Sequence, residues 1–458
     1  MLLSLLALDI SAQDSRPAKP NGLFISVDDL NDWINPATFG GIPGFKTPNF
    51  DRLARMSMRF TNAHVPSAAC APSRAAIMTG VHPARSGITG WKHAQWRKEP
   101  ALIDIQTIEQ FFKAKGYTTL AGGKIYHTLS PPRATVNQSE AQGWDFYYPS
   151  HAIPIPFQVR APLNVIDPKL FIGKQPDYFA WGPIDLGDEY MADYQIVDWA
   201  NYQLAQRYDK PLFLAVGLTK PHDPWEVPQK YVDLYPLESV PDIKIKENDL
   251  EDASFTDAIL GRLLDAFEKS AYKNNTIIVL WSDQEMHMGE KENGEKFTLW
   301  ERSTKTPFFG MAPGITKGGL STNKPVGIID LYPTLAELIG EKAPSHIDGE
   351  SLVPMLKGEN FSHKGVVTGY ELKEAANAPG GDGYTIRTDR YRYIYYPFIN
   401  LEELYDHEVD DHEWVNVAEH PMSDRNDDSR FYHIPFKINK FNGMPYRRLG
   451  GPALLFRI

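Results

Sequence analysis

Residue 70 is the single cysteine of a 458-residue chain, and it opens the stretch CAPSRAAIMTG, with Pro72 and Arg74 directly behind it. One cysteine cannot form an intramolecular disulfide, so a structural staple is excluded and a chemical role has to be considered. Pro72 suits the first turn of a helix, and Gly80 suits its end. That reading sets Cys70 at a helix N-terminus, where backbone N–H groups and Arg74 favour an anion. The plain alternative is that Cys70 is a small buried hydrophobe.

Two further pairs carry oxygen chemistry. Asp28 and Asp29 are adjacent, and neighbouring carboxylates repel unless positive charge lies between them. Asp283 and Gln284 add more oxygen, and an all-oxygen set suits calcium or magnesium better than zinc. A lone Asp-Asp pair more often caps a helix; the second oxygen pair is what favours a cation.

The elements that must position these groups can be read from the apolar runs. GLFISV precedes Asp28, YTTLA precedes Gly122-Gly123-Lys124, PLFLAVGL precedes Lys220-Pro221-His222, and TIIVLW precedes Ser282-Asp283-Gln284. Each reads as a buried strand with a polar tip, and helical patterns such as IDIQTIEQFFKAKG and SFTDAILGRLLDAFEKSA alternate with them. This predicts an α/β fold: a large central, mostly parallel sheet flanked by helices, with ligands beyond the carboxyl ends of the strands. The Pro- and Gly-rich 131–187 stretch reads as surface excursions over the sheet. YTIRTDRYRYIYYPF alternates as strands do, its Arg387, Arg390 and Arg392 fitting a solvated sheet face, and LEELYDHEVDDHEW reads as an acidic turn or helix. The expected division is a catalytic domain over 14–358 and a smaller C-terminal α+β subdomain with an antiparallel sheet over 359–458.

Composition narrows the partners. A formal charge of −11 gives no general attraction to nucleic acid, so an anionic substrate has to be drawn in by a local cationic or metal cluster. The opening MLLSLLALDISAQD resembles the end of a secretory signal over 1–13, without a basic start, and points to an exported protein. No stretch reaches the ~18 uninterrupted apolar residues that a membrane span needs.

Every fixed position of C-x-P-S-R-x-x-x-x-T-G is satisfied here. Together with SVDDLNDW, TPNFDRLA, GGKIYH, KPHDPW, WSDQEMHMGEKENGEKFTLWE and ELYDHEVDDHEW, it makes the chain resemble the type I sulfatases of the alkaline phosphatase superfamily, nearest to the iduronate-2-sulfatase-like and polysaccharide-sulfatase branch. The resemblance covers nearly the whole chain and implies an alkaline-phosphatase-like fold. It implies that a formylglycine-generating or equivalent maturation enzyme oxidises Cys70 to Cα-formylglycine. It also implies that Asp28, Asp29, Asp283 and Gln284, with the hydrated aldehyde at residue 70, hold Ca2+. Glu285 departs from the pattern, since relatives often have glycine there.

The roles implied by the resemblance follow the chemistry of the groups. The aldehyde hydrate attacks sulfur, Arg74, Lys124 and Lys296 neutralise the sulfate oxygens, His222 protonates the departing sugar oxygen, and His127 is the base that restores the aldehyde. Taken singly, a loop Lys or His reads as a solvated group, so these assignments rest on motif position. Lys92, His93, Trp96 and Arg97, in GITGWKHAQWRKEP, suit an anionic sugar, as an exposed basic loop also would. His287 reads equally as a substrate contact or a satisfied structural histidine.

The implied activity is release of sulfate from a sulfated polysaccharide or oligosaccharide. Three rivals remain at this stage: a phosphonate monoester hydrolase or phosphodiesterase sharing the motif, a non-catalytic sugar-binding relative, and a thiol hydrolase using Cys70 with a histidine.

Overall fold

The computed structural model describes residues 19–419 except 33, 35–43, 91–92, 128–142, 149–180, 237–248, 288–289, 294–295, 360, 362 and 373–379. The expected signal segment over 1–13 and most of the 131–187 excursion therefore lie outside the described residues.

Four of the strands foreseen from apolar runs form the middle of one sheet: β1 (Asn21–Val27), β3 (Thr118–Gly123), β6 (Leu212–Leu218) and β8 (Thr276–Ser282). β2 (Met58–His64), β4 (Phe146–Tyr148), β9 (Lys305–Met311), β10 (Ser321–Thr322) and β11 (Val326–Gly327) complete it, in the order β10-β2-β9-β8-β1-β6-β3-β4 with β11 also on β2. Strand β9 pairs antiparallel with β2 and β8, and the other pairings are parallel. A separate parallel pair is made by β5 (Trp181–Ile184) and β7 (Trp225–Pro228).

The strands read as continuous apolar runs because both faces of the sheet are covered. Along β1, Leu23, Ile25 and Val27 enter one core while Phe24 enters the other. The first core packs on α1 (Pro48–Met56), α4 (Ala192–Ala205) and α5 (Asp249–Lys269), through residues such as Phe50, Ile196 and Leu260. The second packs on α2 (Cys70–Thr79) and α3 (Ile108–Ala114), through Ile77, Phe111 and Phe112. Each such buried side chain contributes roughly 1.5–3 kcal/mol, and this fixes which strand tips become neighbours. Helix α3 starts at Ile108, later than its periodicity foresees, because the Gln110 side chain accepts the Thr107 N–H at 3.1 Å and ends the helix there.

The C-terminal sheet is antiparallel, in the order β12 (Val366–Leu372), β13 (Gly381–Arg387), β14 (Tyr391–Tyr396) and β15 (Leu401–Asp406). Two expectations change here. The stretch expected as an acidic turn or helix is strand β15 followed by a turn, since Leu401–Asp406 pairs along all of β14. Arg387 and Arg392 do not face solvent: Arg392 is fully buried, and both reach the Glu301 carboxylate, Arg387 at 3.2 Å. Glu413 takes Arg392 Nε at 2.7 Å and His407 Nε2 at 2.9 Å. This ionic cluster fastens the small sheet to the large one. Arg390 alone of the three stays partly exposed, on Asp406 and Glu408. No helix among the described residues is long and apolar enough to cross a membrane.

Candidate active site

Five segments meet beyond the carboxyl edge of the large sheet. Asp28 and Asp29 follow β1, Lys124 follows β3, His222 lies past β6, Asp283 and Gln284 follow β8, and Cys70 begins α2 six residues past β2. Helix α2 is buried at every position, with Ala69 in extended geometry before it and Gly80 in the left-handed region (φ 71°) closing it onto Ala76 O. A Cβ at Gly80 would also meet Ile347 at 2.9 Å, so glycine is required twice over. At the other wall, Gly123 (φ 81°) and Gly217 let β3 and β6 touch up to their tips. A Cβ on Gly217 would lie 2.4 Å from the Lys124 backbone.

The loops after β1 and β8 are laced together. Asp29 N–H donates to Asp283 Oδ1 (3.2 Å), Leu30 N–H to Ser282 Oγ (2.9 Å), Asp32 N–H to Glu285 Oε1 (2.7 Å), and Met286 N–H to Asn31 Oδ1 (3.0 Å). Asp29 itself is left-handed (φ 56°), a conformation that Asp tolerates better than most residues and that these bonds hold. Glu285, the departure from the family pattern, turns away from the centre. Its carboxylate serves Asp32 N–H and lies 3.9 Å from Arg302. Burial, then the nearby Asp32, pushes its carboxyl well above the usual range.

Asp28, Asp29, Asp283 and Gln284 surround Cys70, and all five are buried. One oxygen each of Asp28 and Asp283, with Cys70 Sγ, lie within 4.8 Å of one another; so do Asp29, Cys70 and His222 ligand atoms. Cys70 Sγ stands where an oxygen of a hydrated aldehyde at that residue would stand. Lys296 Nζ is 2.7 and 2.9 Å from the two Asp29 oxygens and 3.3 Å from Sγ, while Lys124 Nζ contacts Asp28 Oδ2. Burial lowers both ammonium pKa values, but Asp29 for Lys296 and Asp28 for Lys124 outweigh it and hold them raised.

Arg74 is turned onto the carboxylates. It is fully buried, with Nε on Asp283 Oδ2 (2.7 Å), Nη2 on Asp28 Oδ1 (3.1 Å) and Nη1 on Ser26 Oγ and the carbonyls of Lys124 and Ile125. A guanidinium so engaged orders the carboxylates. His222 directs Nε2 toward Asp29 Oδ2 (3.6 Å) and Asp28 Oδ2 (3.8 Å). Burial and Lys296 act to lower its pKa, and Asp29 and Asp223 overcome them to hold it well above the ordinary value.

The donor set fits a hard divalent cation. Three carboxylates and one amide converge, and the buried Gln284 Oε1 has no hydrogen-bond partner while Nε2 donates to Asp29 Oδ1 (2.7 Å) and Cys70 Sγ (3.1 Å). An orphaned amide oxygen beside three acids is what a cation would satisfy. Burial, opposed by Arg74 and assisted by Asp28 and Asp29, lifts Asp283 to about 7.

The expected substrate residues divide. Lys92 lies outside the described residues; His93 begins a short 3-10 helix over His93–Lys98. Trp96 is a core residue, 2% exposed and stacked on Tyr126 at 5.8 Å, so it offers no face to a sugar. Arg97 lies over the Trp96 ring (4.6 Å) and donates to Ile105 O (3.2 Å). His287 is buried, between Thr298 Oγ1 (2.8 Å) and Glu290 O (3.2 Å), and burial lowers it to about 4. His127 is half-buried, three residues beyond Lys124. Sequence reasoning passed over Asp223 and Asp193; the first signal was available, as Asp223 follows His222 directly in KPHDPW.

Comparison with known proteins identifies the family. The sulfatase family model matches residues 20–341, and the model described as N-sulphoglucosamine sulphohydrolase, C-terminal, matches 289–428. A sulfatase of Formosa agariphila is 36% identical over 446 residues, covering 87% of this chain and 83% of the relative. An ulvan-active sulfatase of the same organism is 29% identical, covering 83% and 74%. The fold is also that of a phosphonate monoester hydrolase of Agrobacterium radiobacter (TM-score 0.70, 19% identity, 87% and 91% covered). The first family model spans most of the chain, and with it the cysteine motif and the acidic strand tips, and the second covers the C-terminal sheet, so the protein belongs to the sulfatase family, the sulfuric ester hydrolases.

Proposed function

We propose that the protein releases inorganic sulfate from a sulfated carbohydrate, with residue 70 matured to formylglycine and calcium held by Asp28, Asp29, Asp283 and Gln284. The observation that carries this is the convergence of three buried carboxylates and an orphaned amide oxygen around Cys70, with the Lys296 ammonium on its sulfur and that of Lys124 on Asp28. Kinship with an ulvan-active sulfatase favours a polysaccharide or its oligosaccharides as substrate. Lys92, His93 and Arg97 would receive the sugar. Maturation requires a formylglycine-generating enzyme, and the reading includes export.

When bound, calcium and the hydrated aldehyde supply a Lewis acid and an oxygen nucleophile at one place. The chain's own residues do the rest. Lys296, between Asp29 and residue 70, and Lys124, on Asp28, stabilise the anionic group of the ester. Arg74 keeps Asp28 and Asp283 turned inward. His222 Nε2 gives a proton to the departing oxygen, and His127 takes one when residue 70 is regenerated.

The test is sulfate release measured by ion chromatography from a panel of sulfated algal and animal glycans, with conversion of Cys70 checked by peptide mass and a phosphonate monoester run alongside. Sulfate from one glycan class, abolished in Cys70→Ala with an unchanged melting temperature, is expected. Faster turnover of the phosphonate, or retained sulfate release in Cys70→Ala, would overturn the reading.

A further inference from the structure

The connection from β6 to β7 carries His222, and its backbone is fixed before the ring is considered. Asp193, buried on α4, accepts the N–H groups of Thr219 (2.9 Å) and Lys220 (2.8 Å). The His222 N–H closes onto Thr219 O at 2.9 Å, and Glu226 N–H onto Pro224 O at 3.0 Å. Lys220 Nζ lies 3.4 Å from Asp252 on α5 and also contacts Pro224 O. What remains free is rotation of the imidazole about its side-chain bonds.

That rotation meets a grip on one side. Nδ1 is 2.6 Å from the Asp223 carbonyl oxygen and 2.9 Å from its carboxylate Oδ1. The opposite nitrogen, Nε2, faces the Asp28 and Asp29 oxygens and belongs to the group gathered within 4.8 Å around Cys70 Sγ. The ammonium groups of Lys124 and Lys296 share that space, on Asp28 and Asp29. The Asp223 carboxylate held against Nδ1 keeps the ring from turning out of this position. A carboxylate that accepts from one ring nitrogen also fixes the tautomer, so that the other nitrogen is the working atom.

We propose that Asp223 is the positioning residue for His222: its carboxylate, acting with its own carbonyl, holds Nδ1–H and aims Nε2 at the oxygen that leaves. The proposal rests on the reading of His222 as general acid. In that step the Nε2–H bond breaks and the O–H bond of the departing alcohol forms, leaving a neutral ring whose remaining proton sits on Nδ1 against Asp223. In this role Asp223 acts on the leaving oxygen through the histidine.

The test uses Asp223→Ala, Asp223→Asn and His222→Ala in full-length protein with residue 70 converted, assayed on phenyl sulfate and on 4-nitrophenyl sulfate, with crystal structures of each variant. Phenolate needs a proton as it leaves, whereas nitrophenolate departs without one. For Asp223→Ala we expect kcat on phenyl sulfate to fall ~10- to 100-fold, a change of under about threefold on 4-nitrophenyl sulfate, and unchanged KM for both. Asp223→Asn, which keeps an acceptor oxygen, should recover most of the loss. The crystal structure of Asp223→Ala should show the His222 ring turned from its native position, a result that does not depend on either aryl sulfate being a substrate. A native ring position in Asp223→Ala, or equal losses on the two esters, would overturn the proposal. The same selective loss in His222→Ala but none in Asp223→Ala would overturn it while sparing the acid role; equal losses in His222→Ala would remove the acid role itself.

Discussion

At the scale of single residues, charge pairing decides what each group can do. Asp283 lies against Arg74 at 2.7 Å and shares the centre with Asp28 and Asp29. Replacing it by Asn removes one anionic ligand while leaving Arg74 fully buried. Calcium affinity measured by calorimetry should fall at least ~10-fold, with sulfate release falling in step; unchanged affinity would show that the cation sits elsewhere. Trp96 gives the opposite kind of expectation. Because it is stacked on Tyr126 in the core, Trp96→Ala should lose about 3–5 kcal/mol in urea unfolding, as large-to-small aromatic changes do. A change in KM without a loss of stability would restore its substrate role.

At the scale of elements, buried polar groups show how the helices are seated. Glu109 on α3 is fully buried, accepts the Tyr126 O–H at 2.8 Å, and is lifted by that burial to about 7. An unfolded glutamate ionises near its ordinary 4.5, so between that pH and about 7 the folded chain holds a proton that the unfolded chain has lost. Stability contributed at this site is therefore full below 4.5 and declines as pH rises toward 7, by up to about 3 kcal/mol. Glu109→Gln keeps an acceptor for Tyr126 and removes the titration. Its melting temperature relative to wild type should rise between pH 5 and pH 8, and parallel pH profiles for the two proteins would refute the assignment.

At the scale of the whole molecule, the small sheet is joined to the large one through ions more than through a shared strand. Glu301, just ahead of β9, receives Arg387 from β13 and the buried Arg392 from β14, and Glu413 holds Arg392 from the other side. Breaking a buried pair from one side strands a charge that water cannot reach. Glu301→Gln should cost roughly 3–5 kcal/mol in urea unfolding at fixed calcium. Lys324→Ala, which breaks an exposed pair with Asp389 at 2.9 Å, should cost under about 1 kcal/mol. Similar costs for the two would mean that the cluster does not fasten the sheets.

The sequence by itself determined the strands of the central sheet, the polar tip on each, and the cysteine motif, because apolar runs, turn residues and motif spacing are local properties. It also carried the residues of the centre, from Asp28 to Lys296. Tertiary structure alone decided their orientation. Arg74 spends its donors on carboxylates and carbonyls, Glu285 turns to Asp32, Trp96 sinks onto Tyr126, and Arg392 is buried on a strand whose alternation looked solvated. The physical reason is the same in each case: whether a polar or aromatic side chain faces a ligand or a partner depends on what distant segments bring beside it, and a charge two hundred residues away leaves no mark on local spacing.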